Sequence, residues 1–134
     1  MSARAVEAFL PMVPPRVTHN DLEVHHHGKA VTIGKSAELR EAEDALGARV
    51  ARVAPGSPLV GPLRLQVRFC WPTGTSHRQG EPMRSKPDAD NLAKTFQDVL
   101  ARCRVIADDK DVVDLSVAKA WADPAGIWFR VEEL

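Results

Sequence analysis

Between Leu63 and Trp71 the chain alternates strictly. Leu63, Leu65, Val67, Phe69 and Trp71 fall on one side, and Arg64, Gln66, Arg68 and Cys70 on the other. Successive side chains take opposite sides in a β-strand, so this run predicts a strand closed by Pro72. Its face of large apolar side chains must be covered, and two segments carry helical stripes that can do it. After Ser36, a favoured N-cap residue, Leu39, Leu46, Val50 and Val53 recur at helical spacing, which predicts a helix over 36–53 ended by Pro55-Gly56-Ser57-Pro58. Leu92, Phe96, Val99, Leu100 and Cys103 predict a second helix over 90–102.

The other segments complete a sheet. Ala5 to Met12 reads as a short strand stopped by Pro11, Pro14 and Pro15. Residues 16–28 are polar and turn-rich, and Val31-Thr32-Ile33 is a brief piece able to pair. Val113, Leu115 and Val117 alternate with Asp114, Ser116 and Ala118 as a further strand. Asp123-Pro124-Ala125-Gly126 makes a turn, and Ile127, Phe129 and Val131 form the last strand, expected to be the hairpin partner of the one before. The order β-α-β-α-β-β predicts an α+β fold, a mixed β-sheet with the helices packed on it. At 134 residues the chain is expected to form a single domain over 1–134.

Charge excludes the simplest route to nucleic acid. Eighteen basic and eighteen acidic residues cancel, so there is no global positive field and any DNA-binding charge must be local. The chain has no tyrosine and few other aromatics, which disfavours a platform for stacking single-stranded bases. No apolar run is long enough for a transmembrane helix, so no membrane association is expected. The first residues lack a basic stretch leading into an apolar one, so no secretory signal is expected. Cys70 and Cys103 form neither a metal-type pair nor a disulfide framework, and a cytoplasmic setting is the simplest.

The chemistry is concentrated between Lys86 and Lys119. Asp88 and Asp90 follow Pro87 two residues apart, and in an extended entry segment such residues point to one side. Asp108 and Asp109 stand in a turn that the fold can bring beside the start of the second helix. Clustered carboxylates repel one another unless a cation neutralises them. An all-oxygen set suits a hard ion, Mg²⁺ or Mn²⁺, and such ions promote phosphodiester hydrolysis. Lys94, one turn beyond Asp90, can face the oxygens that gain charge. Lys119 continues the apolar face of Val113, Leu115 and Val117, where it needs a partner; one within the carboxylate cluster is expected.

Each residue also has a plainer reading. Asp88 or Asp90 alone serves as a helix cap, Asp108-Asp109 alone as a solvated turn, Lys94 as the ion-pair partner of Asp90 or Asp98, and Lys119 as a snorkelling strand end. A calcium loop fails. Its sixth and twelfth positions require Gly and Glu, but counting from Asp88 they are Ala93 and Val99, and from Asp109 they are Asp114 and Ala120. His25-His26-His27 is a poor chelate, because neighbours in an extended run point apart.

The pattern resembles the RusA-type Holliday junction resolvases. The carrying run is Lys86-Pro87-Asp88-Ala89-Asp90-Asn91-Leu92-Ala93-Lys94, followed by Asp98-Val99-Leu100, Asp108-Asp109, Val112-Val113 and Lys119. Upstream, Pro14-Pro15-Arg16-Val17-Thr18-His19-Asn20 resembles the family's N-terminal segment. The resemblance implies a homodimeric, Mg²⁺-dependent endonuclease acting on four-way DNA junctions by paired nicks. It implies that Asp88, Asp90 and Asp109 are catalytic metal ligands, that Lys94 is catalytic, and that Asp108 is the lesser acid of its pair. Arg78, Arg84 and Lys86, beside the active segment, are expected to touch phosphates. Arg64 and Arg68 share a strand face that reads more simply as solvated. Two other functions fit the composition: a non-catalytic branched-DNA-binding module, and a metal-dependent nucleotide phosphohydrolase.

Overall fold

The computed structural model describes residues 3–18, 22–28 and 30–134. In chain order the elements are β1 (Ala5–Pro11), β2 (Leu22–His27), β3 (Ala30–Lys35), α1 (Ala37–Ala51), β4 (Leu63–Trp71), β5 (Glu81–Pro82), α2 (Ala89–Arg102), a 3₁₀ turn (Asp109–Asp111), β6 (Val112–Trp121) and β7 (Gly126–Glu133). The fold is α+β, with a mixed five-stranded sheet in the order β1-β7-β4-β6-β5. Among the described residues no helix is long and apolar enough to cross a membrane.

The strand with the strongest alternation is the central one. Leu63, Leu65, Val67, Phe69 and Trp71 are all buried. They join Ile127, Phe129 and Val131 of β7, Leu46 and Val50 of α1, and Leu92, Phe96, Val99 and Leu100 of α2 in one core. Phe96 locks α2 to the sheet, edge-on to Phe129 at 5.3 Å and to Phe69 at 6.0 Å between centroids. α1 begins as expected: the Ser36 side chain accepts from the Leu39 amide at 3.1 Å.

β4 runs parallel to β6 and antiparallel to β7. A parallel pair needs a long crossover, and residues 72–88 with α2 supply it. This corrects one expectation, since β6 and β7 are not hairpin partners: β4 lies between them. The short link 122–125 steps across the end of β4, where the Ala122 amide donates to the Trp71 carbonyl at 2.8 Å. Alternation assigns a strand's faces but not its neighbours, and β4 takes the centre of the sheet.

Two further strands lie in segments expected to be irregular. Within 16–28, β2 pairs with β3 around Gly28, whose φ of +66° suits glycine. The alternation of Leu22 and Val24 with polar neighbours is too short to announce a strand. Between β4 and α2, where no strand is expected, β5 pairs with the end of β6 despite Pro82, because an edge strand tolerates a residue with no N–H. His19 and Asn20, and the side chains of His25, His26 and His27, lie outside the described residues.

The solvent face of the sheet carries a cross-strand ion chain. Arg64 pairs with Asp114 (2.9 Å) and Glu132 (3.2 Å), and Arg130 pairs with Glu132 (3.3 Å) and Glu7 (3.2 Å). Arg64 is therefore tied into the sheet.

Candidate active site

Parallel pairing of β6 with β4 brings β6 alongside α2, and the 3₁₀ turn before β6 beside the first turns of that helix. An open cleft of 550 Å³ lies between them, lined by Asp90, Lys94 and Gln97 from α2, Asp109 and Lys110 from the turn, and Leu115 and Val117 from β6, with Ala89 and Ala93 between the polar groups. Asp90, Lys94 and Gln97 reach one cleft because residues three and four apart share a helix face.

Asp88 occupies the N-cap position of α2 in extended conformation, yet its side chain makes no capping hydrogen bond. Its nearest cation is Lys86, with Nζ 3.9 Å from Oδ1, and both side chains are exposed. Asp88 precedes the lining residue Ala89 but is not itself in the lining.

The Asp108-Asp109 pair is divided by the backbone. Asp108 caps the 3₁₀ turn, its Oδ1 accepting from the Lys110 amide at 2.9 Å, and this bond holds its carboxyl below the usual range. Asp109 is exposed and lines the cleft. Of the two, the structure therefore presents Asp109 to a ligand.

Lys94 is exposed and has no ion-pair partner among the described residues, so it does not serve as the helix-surface partner of Asp90 or Asp98. Lys110 is engaged by Asp111 at 3.1 Å. Among the described residues no three Asp, Glu, His or Cys side chains stand close enough together to enclose a metal ion. Asp90 and Asp109 share the cleft, and the three-carboxylate set is not preassembled.

Lys119 departs from expectation. Register places it beside buried Phe69, on the core face of the sheet. Its partners are backbone carbonyls rather than acids, Ser85 O at 2.8 Å and Pro87 O at 2.7 Å. The carbonyl of Lys86, between them, accepts from Arg16 Nη1 at 3.1 Å, and the Lys86–Pro87 peptide is cis. The Arg16 guanidinium lies 5.9 Å from the ring centroid of Trp71, whose indole N–H donates to Pro14 O at 3.1 Å. Sequence reasoning missed this use of Arg16, because a bond to a carbonyl 70 residues away leaves no residue pattern to read.

Arg78, Arg84 and Lys86 are exposed on the loop that leads into α2. Arg84 lines a second depression with His77, Glu81, Ser85 and Trp121. There His77 stacks on Trp121 at 3.8 Å and bonds Glu81 at 2.7 Å, and that bond lowers the carboxyl's pKa.

Comparison with known proteins places these features together. A segment of 73 residues is 36% identical to the crossover junction endodeoxyribonuclease rusA of Lactococcus phage r1t, covering 54% of this chain and 56% of the phage protein. The chain thus spans about half the length of this curated relative. The family profile described as endodeoxyribonuclease RusA matches residues 12–132, a stretch that takes in α2, the 3₁₀ turn and every residue lining the cleft. With a match of that extent over both the sheet and the cleft, this chain belongs to the RusA endodeoxyribonuclease family.

Proposed function

We propose that this protein is a structure-selective endodeoxyribonuclease that resolves four-way DNA junctions by paired symmetric nicks, working as a homodimer in the cytoplasm with Mg²⁺, for which Mn²⁺ can substitute. The observation that carries this reading is the shared cleft of Asp90, Asp109 and Lys94, with Asp88 beside it making no cap bond.

The donor set suits a hard divalent ion. It is all oxygen, it is open to solvent, and Mg²⁺ binds through one or two carboxylates while keeping several waters. Asp88, Asp90 and Asp109 would hold the ion, which supplies positive charge and activates water toward in-line attack on phosphorus. Lys94 presents an unpaired ammonium to the cleft and stabilises charge gathering on the phosphate oxygens. Arg78, Arg84 and Lys86 hold phosphates next to the scissile one, fixing register without reading sequence. A two-fold dimer would set two such sites on a substrate that itself has two-fold symmetry.

The test is a labelled four-way junction against linear duplex of the same sequence, in Mg²⁺ or EDTA, mapped to the nucleotide. Symmetric nicks in opposing strands of the junction alone, lost in EDTA, are expected. Junction binding without nicks in Mg²⁺ or Mn²⁺ would identify a binding module instead, and equal cutting of the duplex would remove structure selectivity.

A further inference from the structure

The segment that delivers Asp88 to the start of α2 is stitched to β6 at alternate residues. The Met83 amide donates to the Lys119 carbonyl at 3.1 Å. The Lys119 ammonium then donates to the carbonyls of Ser85 (2.8 Å) and Pro87 (2.7 Å). Residues 83, 85 and 87 thus all answer to one residue of β6. The carbonyls of Ser85 and Pro87 thus converge on one ammonium, and the carbonyl of Lys86 between them is left to another donor. Arg16 takes the carbonyl of Lys86, at 3.1 Å.

We infer that Lys119 is a positioning residue that fixes the path of Ser85–Asp88, and with it the placement of Asp88 and Asp90 toward the cleft, with Arg16 holding the opposite side. This deepens the reading above and rests on it for the role of the two carboxylates. A half-buried ammonium loses hydration and regains it in charge-assisted bonds. An ordinary structural lysine could have taken a carboxylate, but this one takes the carbonyls of Ser85 and Pro87, just ahead of Asp88. It touches none of the reacting groups and does not line the cleft. Its effect on chemistry passes through the backbone, as outer partners orient metal ligands elsewhere.

The experiment compares the full-length wild type with Lys119→Met, which keeps the apolar stem and removes the donors. Three readouts are taken: amide hydrogen exchange, direct titration with Mn²⁺ alone, and junction cleavage at rising Mn²⁺. Exchange is expected to quicken at residues 85–92 while β4 and β7 keep their protection. Mn²⁺ affinity is expected to fall about 10–100-fold, and cleavage to recover at high Mn²⁺. Unchanged exchange at 85–92 would overturn the inference, as would quickening spread evenly over the sheet, or cleavage still absent when Mn²⁺ saturates the variant. Wild-type protein that binds no Mn²⁺ and cuts no junction would sink the nuclease reading instead, and the exchange comparison would still decide whether Lys119 fixes the segment.

Discussion

Replacing Asp88 by alanine separates a ligand from a cap, because the two roles predict different stabilities. An Asp at the N-cap of a helix ordinarily accepts a backbone amide, and its loss costs about 1 kcal/mol. The chain carries its own standard for that loss in Ser36, which accepts the Leu39 amide at 3.1 Å at the start of α1. Ser36→Ala is therefore expected to cost about 1 kcal/mol, near 3–5 °C in melting temperature for a domain of this size. Asp88 makes no such bond and its side chain is 54% exposed. Asp88→Ala is expected to stay within about 0.5 kcal/mol of wild type, like other surface substitutions, while abolishing cleavage. Urea unfolding of the two variants beside wild type measures the difference, and junction nicking in Mg²⁺ measures the activity. If Asp88→Ala fell as far as Ser36→Ala, its carboxylate would be capping α2 in solution, and its assignment as a ligand would lose its structural ground.

Lys94→Met is expected to slow nicking by about 10²–10³-fold, the usual scale for removing one preorganised group that meets transition-state charge, with junction affinity in EDTA unchanged in a gel-shift assay. Arg84→Ala is expected to weaken junction binding and to reduce the slope of log affinity against log salt by about 1; Arg64→Ala, already committed to Asp114 and Glu132, should leave that slope alone. Glu133 is held below the usual carboxylate range by the Val60 amide and by Arg4. Its contribution is present above the unfolded pKa and is lost as pH falls through the lower folded value, so Glu133→Gln should flatten the acid limb of stability below about pH 4.5 in thermal melts. Phe96→Ala, which empties the contact between α2 and the sheet, should cost about 3–5 kcal/mol by urea denaturation.

Several elements were legible because their periodicity is strong and local. β4 and α2 follow directly from alternation and from a helical stripe, and each packs with the face the pattern names. α1 starts at the cap residue expected of it. The β2–β3 hairpin is legible only in part: Val31-Thr32-Ile33 reads as able to pair, but β2, six residues with three histidines, gives little alternation to read. Strand neighbours were not legible. The separation of β6 from β7 by β4 depends on which strand takes the centre of the sheet, and a property of the whole sheet leaves no mark on the four residues that link them.

The site shows the same division at finer scale. Asp88 and Asp108 are identical residues, each opening a helical turn, and from sequence the plain reading is a helix cap for one and a solvated turn for the other. The backbone then treats them oppositely: Asp108 accepts the Lys110 amide, while Asp88 accepts none. Their backbones differ accordingly, with φ of −71° at Asp88 and −157° at Asp108, and the residue types around them do not encode that difference. Lys119 makes the point from the other direction. A cation beside Phe69 on the core face must find oxygen, and that much follows from the sequence. The oxygens it finds belong to peptide groups, which every residue carries alike, so only the course of 85–87 could reveal them. Reading a buried lysine by searching for an acidic partner therefore overlooks the carbonyls, and here the carbonyls are the ones that join β6 to the segment bearing the carboxylates.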